Sequence, residues 1–280
     1  MANPANRPLG AAGPTDSTQG SPAPGDSYVQ SFARGLQVIR SFSAQAPQQT
    51  LSEVAARSGL SRAGARRILL TLQTLGYVSS DGRLFKLTPR ILDLGFAYLS
   101  SMPMWNLAEP EMQALAARVG ESCSAAVLDG ADIVYVLRVP THKIMSISLG
   151  VGSRLPAHCT SLGRMLLAGL SDEEALSLLQ ASDRPALTRH TVSEPDELLA
   201  RVRQARKQGW CLVNQELEEG LISLAAPLTD RSGRTVAALN ISGQANRTPA
   251  KMMQETMLPA LLEAAATISR LLAAKQAAQV

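Results

Sequence analysis

Cysteine is scarce in this chain. Three residues in 280, Cys123, Cys159 and Cys211, lie far apart with no C-x-x-C pair. An odd, scattered set gives neither a disulfide framework nor a zinc knuckle, and it suits a reducing cytoplasm. No uncharged apolar run approaches the roughly 20 residues of a membrane span, so no membrane partner is expected. The first 27 residues have no basic start followed by an apolar stretch, so a signal peptide is not expected. They also contain no aromatic residue, but five Pro and four Gly. Such a segment cannot bury enough apolar surface to offset ordering, and 1–27 reads as a disordered tail. There is no internal repeat. A metal-ligand set, a paired-carboxylate motif and a nucleophile elbow are all missing, so catalysis, metal and cofactor are not expected.

The apolar share is 45%, enough for a real core in one large domain or two ordinary ones. The formal net charge of +4 is unevenly spread. Residues 31–90 carry nine Lys or Arg against Glu53 and Asp81, whereas residues 91–280 carry 17 basic and 19 acidic side chains. A compact basic segment joined to a near-neutral body fits a nucleic-acid module attached to something else, although a solvated basic face would look the same.

The basic segment has a specific order of signals. Phe32, Leu36, Ile39 and Phe42 recur at helical spacing from near Val29. Thr50 followed by Glu53 predicts a capping box, and Gly59 a helix stop. Ser61 can cap a second helix, "RAGARRILLTLQTLG", ending at Gly76. Asp81 and Gly82 then separate two short apolar runs, a strong hairpin signal. Helix, short helix, tight turn, helix and hairpin make a winged helix-turn-helix over 28–87. "LTPRILDLGFAYLSS" reads as a linker helix over 88–102, capped by Thr88 with Pro89 at its first position. Ile91, Leu92, Leu94, Gly95 and Tyr98 give it an apolar face.

The remainder, 103–280, alternates helix and strand signals. Asn106 and Glu109 predict a helix cap, and Gly120 its end. "CSAAVLDG" and "DIVYVLRV" read as paired strands, and "IMSISLG" as a third. Ser171 with Glu174 caps a helix, and residues 195–207 form another, ending at Gly209. "WCLVNQE", "ISLAAPLT" and "TVAALNIS" read as three strands, before Thr248 and Pro249 open a long last helix. The fold class expected is α+β, an antiparallel sheet with helices on its sides.

In a helix-turn-helix the second helix enters the major groove with its first residues on base edges. Those are Ser61, Arg62, Ala63, Gly64 and Ala65, followed by Arg66 and Arg67. Arg62 and Arg66 share a face, and the small residues permit close approach. Ile68, Leu69, Leu72 and Leu75 would hold the helix to its module. Arginine can bind guanine at two points, worth about 1–3 kcal/mol of discrimination. Arg34 on the first helix and Arg83 on the wing suit phosphate contacts. The expected partner is double-stranded DNA.

"SFARGLQVIRSF", "LSEVAARSGLSRAGARRILLTLQTLGYV" and "LTPRILDLGFAYL" resemble the amino-terminal module of the IclR family of bacterial transcriptional regulators. The resemblance continues through "GSRLPAHCTSLGRMLLAGL", "GWCLVNQELEEGLISLAAPL" and "AALNISG", covering about residues 29–275. "LPAHCTSLGR" is closest to the subgroup that controls aromatic-acid breakdown through protocatechuate and β-ketoadipate. The resemblance implies a homodimer, often a dimer of dimers, on a palindromic operator. It also implies a GAF/profilin-like carboxyl-terminal domain that senses a small organic acid.

The segment "RLPAHCTSLGR" allows three chemistries. Cys159 as a nucleophile with His158 as base is disfavoured, because neighbouring side chains on a strand diverge and no third orienting group is evident. A metal site from one His and one Cys lacks a second pair. The third reading uses the helix that begins near Thr160, whose free amides and partial positive charge suit a carboxylate. Thr160 and Ser161 add hydroxyls, Leu162 and Gly163 add amides, and Gly163 lets a ligand or a neighbouring element approach. A bare N-cap with no ligand is the alternative that residues alone leave open. The resemblance places Ser161 and Leu162 in an effector pocket with Ser223, Asn240 and Ser242. It also maps Val213 to a pocket position that is acidic in some relatives, which implies a different ligand chemistry. His158 could add charge. Arg154 is read as solvated or salt-bridged, Arg138 stays undecided, and Cys159 is a small packed side chain. Three readings compete with an acid sensor: an enzyme using the same α+β domain, a Cys159-based redox sensor and a ligand-independent repressor.

Overall fold

The computed structural model describes residues 28–101, 104–141 and 149–277. The tail expected at 1–27, and most of the strand expected from "IMSISLG", lie outside the described residues. The described chain forms two compact units that meet between residues 101 and 104.

The smaller unit contains α1 (Gln30–Arg40), β1 (Gln48–Thr50), α2 (Leu51–Ser58), α3 (Arg62–Thr74), β2 (Val78–Ser80) and β3 (Leu84–Leu87). Its three strands are antiparallel in the order β1-β3-β2. The Thr50 hydroxyl accepts the Glu53 N–H, and the Glu53 carboxylate accepts the Thr50 N–H at 2.7 Å. Those bonds hold the Glu53 carboxyl below its ordinary pKa. Gly59 ends α2 in the left-handed conformation at φ 65°, where a side chain would be strained. Ser61 Oγ accepts the Gly64 N–H at 3.1 Å and starts α3. At the wing tip the Asp81 carboxylate accepts the N–H groups of Arg83 and Leu84 at 2.9 and 2.7 Å.

The core of this unit is small: Val38, Val54, Ala55, Ala65, Leu69, Leu72 and Val78. Three placements depart from expectation. Phe32 and Leu36 continue the α1 stripe but are 68% and 38% exposed, and only Val38 of that helix is buried. Leu75, expected to anchor α3, follows its last turn and is 51% exposed. Ala65, grouped by sequence with the groove-facing residues, is fully buried.

The linker helix begins later than expected. A 3-10 turn at Pro89–Ile91 precedes α4 (Leu92–Ser101). Thr88 does not cap it, because its hydroxyl donates to the Gly76 carbonyl at 2.5 Å. Leu92, Leu94, Phe96 and Tyr98 stay exposed on α4.

The larger unit is built on α5 (Met104–Val119), β4 (Ser122–Asp129), β5 (Asp132–Val139), β6 (Arg154–Pro156), α6 (Ser161–Ala168), α7 (Asp172–Ala181), α8 (Pro195–Gln208), β7 (Cys211–Asn214), β8 (Leu221–Thr229) and β9 (Thr235–Gln244). The last helical stretch runs as α9 (Ala250–Met252), a π turn at Met253–Met257 and α10 (Leu258–Ala277). The six strands are antiparallel in the order β6-β5-β4-β9-β8-β7. Asn106 is not a cap: α5 begins at Met104. The additional turn buries Trp105, in line with the buried Ala108 and Met112.

Alternation along the strands sends residues to two different layers. Ala126, Ile133, Tyr135, Val213, Ala225 and Ala238 pack with α6, α7 and α8. Their neighbours Ile222, Leu224, Leu239 and Ile241 are buried on the opposite face, where α5 and α10 contact the sheet. By length and hydropathy the Ala250–Lys275 stretch would pass for a membrane span, yet Leu261, Ala265, Ile268 and Leu272 are buried.

Leu69 is fully buried in the seven-residue core. Leu69→Ala should remove about 2–5 kcal/mol from the smaller unit. Urea unfolding would read this as a lower midpoint without a change of slope.

Candidate functional site

On α3, Arg62, Ala63, Arg66 and Arg67 are exposed, as are Ser61 before it and Arg83 on the wing. Arg34 is exposed on α1. Gly64 lies over the cap, where an added Cβ would sit 3.2 Å from Ser61 Oγ. None of these arginines forms an ion pair among the described residues. The unit thus presents a row of free cations at the start and along the outer side of one helix.

The larger unit has a cleft where α6 starts above the sheet. The register aligns two polar rows beneath it. Ser124 lies opposite both Arg138 and Asn240, and Ser242 lies opposite both Ser122 and Ser223. Val213 follows Ser223 in the second row. Thr160, Ser161, Leu162, Ser223, Asn240 and Ser242 line the cleft with Arg138, Val213 and Glu216. Tyr135, Leu149, Leu217 and Leu221 supply apolar wall. The unfilled space is about 440 Å³ including the mouth, but so narrow that little of it admits a water-sized sphere.

Most polar groups here are already committed, which makes the uncommitted ones informative. The Thr160 hydroxyl donates to the Pro156 carbonyl at 3.0 Å and accepts the Gly163 N–H at 3.1 Å. Thr160 is therefore a cap with no proton left for a ligand, and the Gly163 amide is used as well. Gly163 itself lies outside the cleft lining. Its role is close packing: a Cβ there would sit 2.2 Å from the Ala157 carbonyl oxygen. Asn240 Nδ2 donates to Ser242 Oγ at 3.0 Å, and Arg138 Nη1 donates to Ser124 Oγ at 3.2 Å. By contrast, Ser161 Oγ and Asn240 Oδ1 are buried with no partner. The Ser161 and Leu162 N–H groups at the helix start also make no hydrogen bond among the described residues. Arg138 has no carboxylate partner among the described residues.

Other expectations need correction or placement. His158 does not line the cleft. It is buried, and burial first, then the Arg164 and Arg184 charges, holds its imidazole below the ordinary pKa. A neutral ring there offers no positive charge to an anion. Arg154 pairs with Asp129 at 2.6 Å and with Asp132 at 3.2 Å. Cys159 touches the cleft but is fully buried, and burial pushes its thiol up to about 12. At neutral pH it carries essentially no thiolate, the form that reacts. His142 lies outside the described residues, and no group of His, Cys, Asp or Glu suited to a metal occurs among those described.

Sequence reasoning missed one feature outright. Arg164, in the first turn of α6, forms a two-point ion pair with Glu216 at 2.7 and 2.5 Å. The two are only 3% and 8% exposed. An arginine inside an otherwise apolar helix was the available signal, but nothing local identified a partner 52 residues away.

The IclR helix-turn-helix domain model matches residues 31–82, and the bacterial transcriptional regulator IclR C-terminal model matches residues 96–270. The chain belongs to the IclR family. It is 43% identical over 233 residues to the Pca regulon regulatory protein of Pseudomonas putida, covering 83% of this chain and 80% of that one. It is 34% identical over 234 residues to the p-hydroxybenzoate hydroxylase transcriptional activator of Acinetobacter baylyi, covering 82% and 86%. A solved structure from Rhodococcus sp. RHA1, described as a transcriptional regulator, aligns at TM-score 0.79 and 48% identity over 88% of this chain and 98% of that chain. An IclR homolog from Microbacterium hydrocarbonoxydans, complexed with 4-hydroxybenzoate, aligns at TM-score 0.75 and 25% identity over 86% and 98%. Within this IclR-family chain, the winged module and the antiparallel-sheet unit are the parts those two models match.

Three outcomes follow from this packing and burial. Gly163→Ala must push α6 off Ala157, at a cost of about 1–3 kcal/mol for overpacking, readable as a lowered melting temperature. The native protein should leave all three thiols unmodified by a disulfide reagent at pH 8, because each is buried and raised to about 11 or 12. Rapid labelling of native Cys159 would contradict this. These thiols stay protonated in the native state when the unfolded chain loses its protons. Stability should therefore fall as pH climbs from the ordinary thiol value of 9.0 towards the native values.

Proposed function

We propose that this IclR-family regulator binds operator DNA through α3 and is controlled by a small aromatic carboxylate held in the cleft at the start of α6. The carrying observation is the set of unmet partners in one cleft. Arg138 and two helix amides favour an anion, while Ser161 Oγ and Asn240 Oδ1 are buried without partners. A hydroxylated benzoate would satisfy both: its carboxylate would meet Arg138, the amides and the Ser161 hydroxyl, and its own hydroxyl would donate to Asn240 Oδ1. Ser223 and Ser242 would line the ring's polar edge, and Tyr135, Leu162, Leu217 and Leu221 its faces. The named roles of relatives in the Pca regulon and in p-hydroxybenzoate hydroxylase expression support the same chemical class.

On DNA, Arg62, Arg66 and Arg67 would reach base edges and nearby phosphates. Ser61, Ala63 and Gly64 would allow the helix to approach, while Arg34 and Arg83 would hold phosphates. The division of labour we assign is 28–87 for DNA, 88–102 as linker and 103–280 for the effector. We assign a homodimer or dimer of dimers on a palindromic operator, as the resemblance to the family implies; paired half-sites one helical turn apart would suit such a dimer. The acid can shift DNA affinity only by preferring one arrangement of the protein, and the linker helix is the element that must carry that preference. No catalytic step and no cofactor is needed.

Arg62→Ala should relax sequence preference, whereas Arg83→Ala should weaken specific and non-specific DNA alike and reduce the salt slope by about one unit. Gel-shift titrations at two salt concentrations separate these, and no change in either variant would sink the assignment of the module. At about 100 times its Kd the acid should add about 2.7 kcal/mol of stability. That gain should vanish in Ser161→Ala/Asn240→Ala, and an undiminished thermal shift would move the site elsewhere.

A further inference from the structure

The Arg164–Glu216 pair has no place in the reading so far, and it is an odd thing to find beside an anion site. Glu216 lines the same cleft as Arg138, Ser161 and Asn240. An uncompensated carboxylate in that wall would repel an acid. Arg164 meets it at two points, and Arg164 Nε also donates to the His158 carbonyl at 3.0 Å, just before α6. Glu216 also accepts the Val192 N–H at 3.2 Å. The hydroxyls of Thr188 and Thr191 donate to the carbonyls of Gln215 and Glu216, each at 2.6 Å. Three segments distant in sequence are therefore joined around one buried pair.

Stability alone is a poor account of such a pair, because desolvating two charges offsets much of their attraction and an apolar pair of similar volume often does as well. Their charges also act in opposite directions on their neighbours. Burial dominates the titration of Cys159, Cys211 and His158, and beyond it Glu216 raises and Arg164 lowers the pKa at all three.

We propose that Arg164 and Glu216 are a positioning pair that fixes the loop after β7 against the start of α6 while keeping that wall of the cleft electrically neutral. Arg138 and the helix amides then set the charge preference by themselves, and the cleft selects a single carboxylate. This rests on the effector reading above. It assigns a specificity role to two residues that touch each other rather than the ring of the acid.

The test uses the full chain, two probes and three variants. The probes are 4-hydroxybenzoate and its uncharged amide, 4-hydroxybenzamide, titrated by calorimetry. Glu216→Gln leaves the arginine charge uncompensated and should bind the acid about tenfold tighter. Arg164→Met leaves the carboxylate uncompensated and should bind it about tenfold weaker. The neutral double variant, Arg164→Met/Glu216→Gln, keeps an acceptor for Val192 and should fall between them. It also covers the case in which a single variant fails to fold. The amide should not follow this order. Equal loss of acid and amide in every folded variant would overturn the proposal and leave the pair a structural strut. If the parent chain binds no acid, the effector reading fails. An affinity for 4-hydroxybenzoate that appears only in Glu216→Gln would still support charge compensation, and its absence from all variants would overturn both.

Discussion

The close contact between α6 and Ala157 fixes where the helix starts over the sheet, and the cleft depends on it. Because residue 163 has no side chain, the helix can start directly over the end of β6, with backbone meeting backbone. That contact lets the Thr160 hydroxyl close on the Gly163 N–H and the Pro156 carbonyl at once. It also brings the first two amides of the helix over the polar rows of the sheet. The cleft is a product of one missing Cβ and of strand register.

Register does the other half of the work. Side chains alternate with period two, so Asn240 and Ser242 must share a face, and so must Ser122 and Ser124. The pairing of β4, β8 and β9 stacks these into rows under α6. The same alternation sends Leu239 and Ile241 to the opposite layer, so the polar floor of the cleft sits directly behind an apolar core. The floor is held rigidly by packing it does not itself contribute to.

Local signals were legible in the sequence, and long-range ones were not. The capping boxes at Thr50 and Ser171, the glycine stop at Gly59 and the Asp81 turn are bonds between residues two or three apart, and each formed as its spacing predicts. The position of Ser161, Ser223, Asn240 and Ser242 came from resemblance to a family together with strand alternation. What failed was anything decided by tertiary competition. Thr88 gave its hydroxyl to Gly76 instead of a cap, and Trp105 drew the helix start two residues ahead of Asn106. His158 was placed by adjacency, but a residue beside a cap can face either side of it. Arg164 stood out in an apolar helix, but its pairing with Glu216 was not legible because neither residue has its partner within its own element.

The two unpartnered buried oxygens of the cleft also bear on how long the protein survives. A native state that leaves Ser161 Oγ and Asn240 Oδ1 unsatisfied opens more readily than one in which a guest completes them. A protease samples that opening. An acid bound as proposed would then lengthen the lifetime of the protein, and cells growing without the compound would carry fewer copies of it.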